Sequence, residues 1–282
     1  MIRAASEFAG ATAARRDAGA TIGLVPTMGA LHEGHASLIR RARDQRDAIA
    51  VSIFVNPAQF GPDEDLAGYP RDEEADLAMC ERLGADIVWA PPVDEFYPPG
   101  IVLEEPDPGP VGDTFEGAAR PGHFRGVLKA VHRLAGVCGS CAAYFGEKDA
   151  QQLFLVRRMA DRLTLPMEVL ACPTVRDPDG VAVSSRNGYL SAEEREQAGC
   201  LFLALSEAAE LARGGERNPE LLVASMAREI GATPLARLNY AAVVDDDTFL
   251  PATDVRGRVR AIVAARFPSA RLIDNLPLPT PG

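Results

Sequence analysis

The sequence predicts an α/β protein, a parallel-sheet domain with helices on both faces, followed by a smaller C-terminal α+β domain. Three observations predict it. Through the first half, short β-branched runs alternate with helical stretches at spacings that call for crossover connections. After about residue 174 the texture changes, and two helices precede a cluster of strands. The chain has 282 residues, 47% of them apolar, so one large or two ordinary domains can each bury a core without covalent staples.

Each element has its own warrant. Residues 21–26 (TIGLVP) form an apolar run that reads as a buried strand, and a glycine-punctuated turn leads to a helix over 32–45. Residues 48–55 (AIAVSIFV) read as the second strand, 72–83 as a helix stopped by Gly84, and 87–90 as the third strand. A helix over 124–137, a short strand over 142–145, a helix over 151–163 and a strand over 167–172 complete the first part. In the second part, Ser191 and Glu194 fit a capping box that opens a long helix ending before Gly214 and Gly215. A helix over about 218–230 and strands over 238–244, 259–264 and 271–274 follow. In such sheets ligands bind at the carboxyl ends of the strands.

Charge and composition exclude several roles. There are 29 Lys plus Arg against 40 Asp plus Glu, a net charge of −11. A broad nucleic-acid surface needs clustered basic residues, so no nucleic-acid partner is expected; a small anionic substrate needs only a few local donors. No apolar run approaches the roughly 18 residues of a membrane span, and MIRAASEFAG lacks the pattern of a secretory signal. Five cysteines, an odd number, read as reduced thiols in a cytoplasmic protein.

Three segments carry chemistry. Residues 24–35 (LVPTMGALHEGH) run from a buried strand through a turn into a helix whose first residues include His32 and His35. Spaced i, i+3, the two imidazoles share a face near free backbone N–H groups, a combination that suits a polyphosphate. A zinc site is the competing reading, but zinc proteases space their histidines i, i+4; two incidental surface histidines are the plain one. Residues 142–152 (AAYFGEKDAQQ) place Glu147, Lys148 and Asp149 at another strand's carboxyl end; Lys148 can pair with phosphate, and Asp149 with a ribose hydroxyl or magnesium. Residues 174–190 (TVRDPDGVAVSSRNGYL) contain a strong turn at Asp177–Gly180, then Ser184, Ser185 and Arg186, a phosphate-gripping set. Both of the last two also read plainly as polar surface loops.

Read in order, PTMGALHEGH, NPAQFGPDEDLAGYPR, RPGHFRGV, YFGEKDAQQ and VSSRNGYL closely resemble the motifs of the pantothenate synthetase (pantoate–β-alanine ligase) family, within the HxGH nucleotidyltransferase superfamily. The resemblance covers nearly the whole chain. It implies a Rossmann-like nucleotide- and pantoate-binding domain over 1–174 and a C-terminal α+β lid, associated with the dimer, over 175–282, with the reaction between them. It further implies condensation of (R)-pantoate with β-alanine through a pantoyl adenylate, using ATP and Mg²⁺ and releasing AMP and pyrophosphate, in a cytoplasmic homodimer.

Residue by residue, the resemblance places Met28, Gly29, Ala30, Leu31, His32, Glu33, Gly34 and His35 on ATP, with His35 the usual catalytic candidate and His32 assisting. Gly146, Glu147, Lys148 and Asp149 would line the nucleotide, Val175 would contact adenine, and Val183, Ser184, Ser185 and Arg186 would close over the phosphates. Lys148 and Arg186 join the histidines as catalytic candidates. Gln59 and Gln152 would hold pantoate, with Asn56, Tyr69, Glu116 and Arg120 lining or supporting the substrate region. Asp76 matches an acidic position associated with magnesium. Two departures stand out: Val183 where the family usually carries Met, and Asp76 alone where an acidic pair is usual. Three other readings stay open: a nucleotidyltransferase that adenylylates a phosphorylated cofactor precursor, a non-catalytic nucleotide-binding regulator, and a redox or metal role for Cys138 and Cys141, spaced CxxC.

Overall fold

A computed structural model describes residues 1–62, 64 and 66–279; Asp63 and Asp65 of the NPAQFGPDEDLAGYPR segment and residues 280–282 lie outside the described residues. The chain forms two compact units, Met1–Glu147 with Gln151–Pro173, and Lys148–Ala150 with Thr174–Gly282.

The first unit contains α1 (Ala5–Asp17), β1 (Ile22–Thr27), α2 (Glu33–Gln45), β2 (Ala48–Ile53), α3 (Glu73–Arg82), β3 (Ile87–Trp89), α4 (Val93–Phe96), α5 (Glu116–Ala119), α6 (His123–Cys138), β4 (Cys141–Gly146), α7 (Ala150–Arg162, its first residue grouped with the second unit) and β5 (Met167–Cys172). Its five strands are all parallel, in the order β3-β2-β1-β4-β5. The chain therefore builds outward from β1 to one edge, then returns to β4 on the other side of β1. The carboxyl ends of β1 and β4 flank the switch point, where an open α/β sheet leaves its binding crevice. Along β1, β2 and β4 almost every residue is buried, because helices cover both faces. Val25, Ile49, Val51, Ala142 and Tyr144 of the sheet pack with Leu38, Ile39 and Ala42 of α2.

The predicted sheet is present, and most element ends move by only one or two residues. Both predicted helix starts at 32 and 72 prove to be caps: His32 and Asp72 lie in extended or irregular backbone and accept N–H groups of the first turn. β2 stops at Ile53 rather than 55, just before the Asn56–Pro57 turn. Helix α1 has no counterpart among the predicted elements. Its apolar residues are mostly alanines without a clear stripe, so periodicity carries little signal. It is held by a few specific contacts instead. Phe8 stacks on Trp89 at 4.8 Å, while Thr12 Oγ1 (3.0 Å) and Arg16 Nη1 (2.6 Å) donate to the carbonyl of Cys138 at the end of α6.

Cys138 closes α6 and Cys141 opens β4; both thiols are buried, and all five cysteines are free. Cys138 thus sits at the negative end of a helix, which disfavours a thiolate, while the hydrogen bond with Cys141 and the charge of Arg16 pull its pKa down.

The second unit contains α8 (Ala192–Gln197), α9 (Cys200–Arg213), α10 (Pro219–Gly231) and the strands β6 (Arg237–Asp245), β7 (Val259–Arg266) and β8 (Arg271–Pro277), which form an antiparallel sheet in that order. The capping box at Ser191 and Glu194 is present. The single long helix expected after it is two helices. At Ala198–Gly199 the bonding tightens to i+3, with Leu201 N donating to Ala198 O at 3.4 Å, and glycine is a poor helix former. β8 runs on to Pro277, past the predicted end at 274, because its pairing with β7 continues to Arg260. Leu201, Leu205, Leu222, Met226 and Ile230 of the helices pack with Ala261, Val263 and Ala265 of β7.

One glycine fixes how α6 meets the turn that carries Gln59. A Cβ on Gly126 would lie 2.0 Å from the carbonyl oxygen of Ala58, a backbone atom that cannot yield. Gly126→Ala is expected to lower stability by about 1–3 kcal/mol, the usual cost of overpacking, read as a lower urea midpoint with an unchanged slope.

Candidate active site

The segment leaving β1 is shaped by one carboxylate. Asp76, on the first turn of α3, is only 3% exposed, and its two oxygens accept N–H groups from Ala30 (2.9 Å) and Leu31 (2.6 Å). Burial raises its pKa, opposed by those two donors. Gly29 (φ 80°) and Ala30 (φ 49°) both take the left-handed backbone region to make the turn, and a Cβ on Gly29 would come within 2.9 Å of Asp76 Oδ2.

That turn delivers His32 and His35 to the start of α2 in a capping box built from histidines. His32 Nδ1 accepts the N–H of Gly34 at 3.1 Å, and His35 Nδ1 accepts the N–H of His32 at 3.4 Å. The rings stack with centroids 4.1 Å apart. Since each Nδ1 accepts, this hydrogen-bond network assigns the proton of each neutral ring to Nε2, where it is a donor. Two stacked donors at a helix N-terminus, beside the sheet's switch point, form an anion-binding arrangement.

A second group is built around Gln59, on the Pro57–Gln59 turn. Its Nε2 is directed at Met28 Sδ, 2.7 Å away, and its Oε1 accepts from Asn56 Nδ2 at 3.1 Å. Asn56, 2% exposed, accepts at Oδ1 from the Tyr97 hydroxyl (2.8 Å) and Ala58 N–H (3.1 Å), and its Nδ2 also donates to Gly126 O (3.0 Å). All four hydrogen-bonding positions of its amide are thereby used inside the protein, one of them on Gln59.

Arg120 is committed in the same way. Its guanidinium forks onto Glu64 (2.6 and 2.8 Å) and donates to His123 Nε2 (3.0 Å), and Glu116 lies 3.9 Å from Nη1. His123 Nδ1 in turn donates to the main-chain carbonyl of Gln59 at 2.9 Å. Sequence reasoning does not single out His123, although it lies in the RPGHFRGV segment. Of the adjacent glutamines on α7, Gln151 is structural: its amide donates to Val111 O (2.8 Å) and Thr114 O (2.9 Å) and accepts from Glu116 N (3.1 Å). Gln152 is half-buried and Tyr69 is buried.

In the second unit, Lys148 sits on the short Glu147–Asp149 turn that directly follows β4, its Nζ 3.7 Å from Asp149 Oδ1. Its carbonyl accepts from Asn275 of β8 at 2.8 Å, a partner no motif indicated. The predicted turn at Asp177–Gly180 closes a hairpin in which Val183 N donates to Val175 O at 3.0 Å, joining two residues proposed for the nucleotide. Ser184 Oγ then caps the Ser185–Tyr189 turn by accepting Arg186 N at 3.3 Å.

The donors present do not form a protein cage for magnesium. Both oxygens of Asp76 are engaged by backbone N–H groups, and among the described residues no three His, Cys, Asp or Glu cluster as a metal site. The structure shows Asp76 holding the turn, with acceptor capacity left on each oxygen.

Burial, aided by the charge of Arg120, pushes the His123 pKa down to about 4, against an unfolded value near 6.5. Between those values the unfolded chain binds the extra proton, so stability falls as pH drops through that window. Comparing urea unfolding of the wild type and His123→Gln across this window should show a slope carried by His123, on the order of 3 kcal/mol in total.

The comparisons with known proteins agree with this geometry. A family model described as pantoate-beta-alanine ligase matches residues 1–277. The pantothenate synthetase of Roseiflexus castenholzii is 50% identical over 275 residues, covering 98% of each chain. The Gluconobacter oxydans pantothenate synthetase is 47% identical, covering 96% of this chain and 98% of its own. The crystal structure of pantothenate synthetase from Thermus thermophilus superposes with a TM-score of 0.92 at 44% identity, covering 99% of both chains. A Francisella tularensis pantoate-beta-alanine ligase, solved in complex with beta-gamma ATP and β-alanine, gives 0.78 at 31% identity, covering 98% of this chain and 96% of that one. Among the described residues no helix is long and apolar enough to cross a membrane. With a family model spanning nearly its whole length and relatives at half identity, the chain belongs to the pantoate–β-alanine ligase family, enzymes that join pantoate to β-alanine.

Proposed function

We propose that the ligase works in two steps on ATP, (R)-pantoate and β-alanine. A pantoate carboxylate oxygen attacks the α-phosphorus of ATP, the bond to the bridging oxygen breaks, and pyrophosphate leaves from pantoyl adenylate. The amine of β-alanine then attacks the acyl carbon, AMP leaves, and the nitrogen loses a proton to give pantothenate. The single observation that carries this reading is the histidine capping box at the switch-point end of β1. The ATP analogue and β-alanine held by the Francisella relative support the same substrates here.

The residues divide by chemistry. A carboxylate approaching a triphosphate meets like-charge repulsion, and pre-placed donors offset it without reorganising. His32 and His35, through Nε2–H, together with Lys148 and Arg186, supply those donors, and the 28–35 segment supplies backbone. Ser184, Ser185 and Val183 close on the phosphates, while Gly146, Glu147, Asp149 and Val175 line the nucleoside. Gln59 and Gln152 hold pantoate, with Tyr69 and Glu116 beside that region. Magnesium would be held mainly by the triphosphate, as this ion usually is with few protein ligands, with Asp76 the protein carboxylate associated with it. Neither step needs an enzyme nucleophile, so alignment of the two substrates is itself a large contribution, about 7–11 kcal/mol at best. The reading includes a cytoplasmic homodimer; five free, buried thiols suit a reducing compartment.

The decisive assay is AMP release with each substrate omitted in turn. AMP should appear only when ATP, pantoate and β-alanine are all present, and pyrophosphate with ATP and pantoate alone. An adenylylated end product would instead indicate a simple nucleotidyltransferase. His35→Ala and Lys148→Ala should keep the wild-type circular dichroism spectrum and lose adenylation by orders of magnitude. Gln59→Ala should chiefly raise KM for pantoate.

A further inference from the structure

The second unit contains a buried polar network that ends on the main chain of Lys148. Asn275, 4% exposed, donates from Nδ2 to the Lys148 carbonyl at 2.8 Å. Its Oδ1 accepts from Arg260 Nη1 at 2.6 Å. A guanidinium can only donate, so Arg260 dictates which end of the amide faces it, and the N–H end is left for Lys148. Arg260 is itself fixed by Asp246, at 2.7 Å from Nε and 3.3 Å from Nη2. The backbone of Asn275 is fixed too: its N–H donates to Asp274 Oδ1 (2.8 Å), and Asp274 takes the fork of Arg176 at 2.6 and 2.9 Å. Four charges held mostly out of water are a costly way to brace a three-stranded sheet, since apolar packing serves as well. They are well suited to fixing one amide in one orientation.

We propose that Asn275, oriented by Arg260, is a positioning residue for Lys148. Its N–H holds the carbonyl of the Glu147–Asp149 turn and so places the ammonium group for the charge that develops on ATP. This rests on the reading of Lys148 as a phosphate-binding group. Lys148–Ala150 group with the second unit even though they follow β4 directly in sequence, as such a tether requires.

The test is a double-mutant cycle on the full-length enzyme, read as pyrophosphate formed from ATP and pantoate in a single turnover. Asn275→Asp keeps the size and still accepts from Arg260 but sets an acceptor against the Lys148 carbonyl. It should slow adenylation by about ten-fold or more, the scale of one lost buried hydrogen bond with an unpaired acceptor. KM for β-alanine should be unchanged. In a Lys148→Ala background the same substitution should have little further effect, because the group it positions is gone. Asn275→Ala in the same cycle gives the same comparison if the aspartate variant does not fold. Equal fold-losses in both backgrounds, or wild-type adenylation in Asn275→Asp and Asn275→Ala, would overturn the tether while leaving Lys148 its role. Wild-type adenylation in Lys148→Ala would overturn both.

Discussion

The switch-point end of the first unit depends on one buried carboxylate bonded to two backbone N–H groups. Asp76 holds Ala30 and Leu31 by their amides, which keeps the chain in the left-handed turn at Gly29 and Ala30. A non-glycine residue at positive φ costs on the order of 1 kcal/mol or more, and it persists where surroundings over-determine it. Here the carboxylate does so. Without that turn, His32 would not reach extended backbone at the head of α2, and neither histidine could cap the other. The anion-binding geometry is thus made by a residue that need not touch an anion.

The same division recurs. Asn56 spends its whole amide on Tyr97, Ala58, Gln59 and Gly126, and Arg120 spends its guanidinium on Glu64 and His123. Both act on Gln59 from behind, one through its side chain and one through its carbonyl. An amide held at both ends has little freedom left to lose, which is how preorganisation lowers the cost of binding.

The sequence shows the candidate reacting groups far better than their supports. The two-part α/β organisation, the parallel strands, the capping box at Ser191 and the turn at Asp177–Gly180 all follow from local patterns of burial, propensity and turn chemistry. So do the two histidines and Lys148, because each sits where a strand ends. The supports were not legible, because each is a pairing between distant residues. Asp76 lies 45 positions from Leu31, and Asn275 lies 127 from Lys148. The resemblance associates Asp76 with magnesium, and only the structure adds its two backbone partners. Helix α1 escapes for a similar reason, since a few tertiary contacts rather than periodicity decide it, while the break at Ala198–Gly199 is a local tightening within one apolar pattern. The net charge of −11 gains meaning in the same way. An enzyme that binds a small polyanion needs positive groups only at the site, and the rest of its surface stays acidic.

The central claim, that Asp76 builds the turn between β1 and α2, is tested most directly by amide hydrogen exchange at Ala30 and Leu31, measured alongside kcat/KM for ATP in wild type and Asp76→Ala. The account predicts slow exchange at both amides in the wild type. In the variant, fast exchange should be confined to this turn and accompanied by a large loss of kcat/KM. Equally slow exchange in the variant with unchanged use of ATP would contradict it.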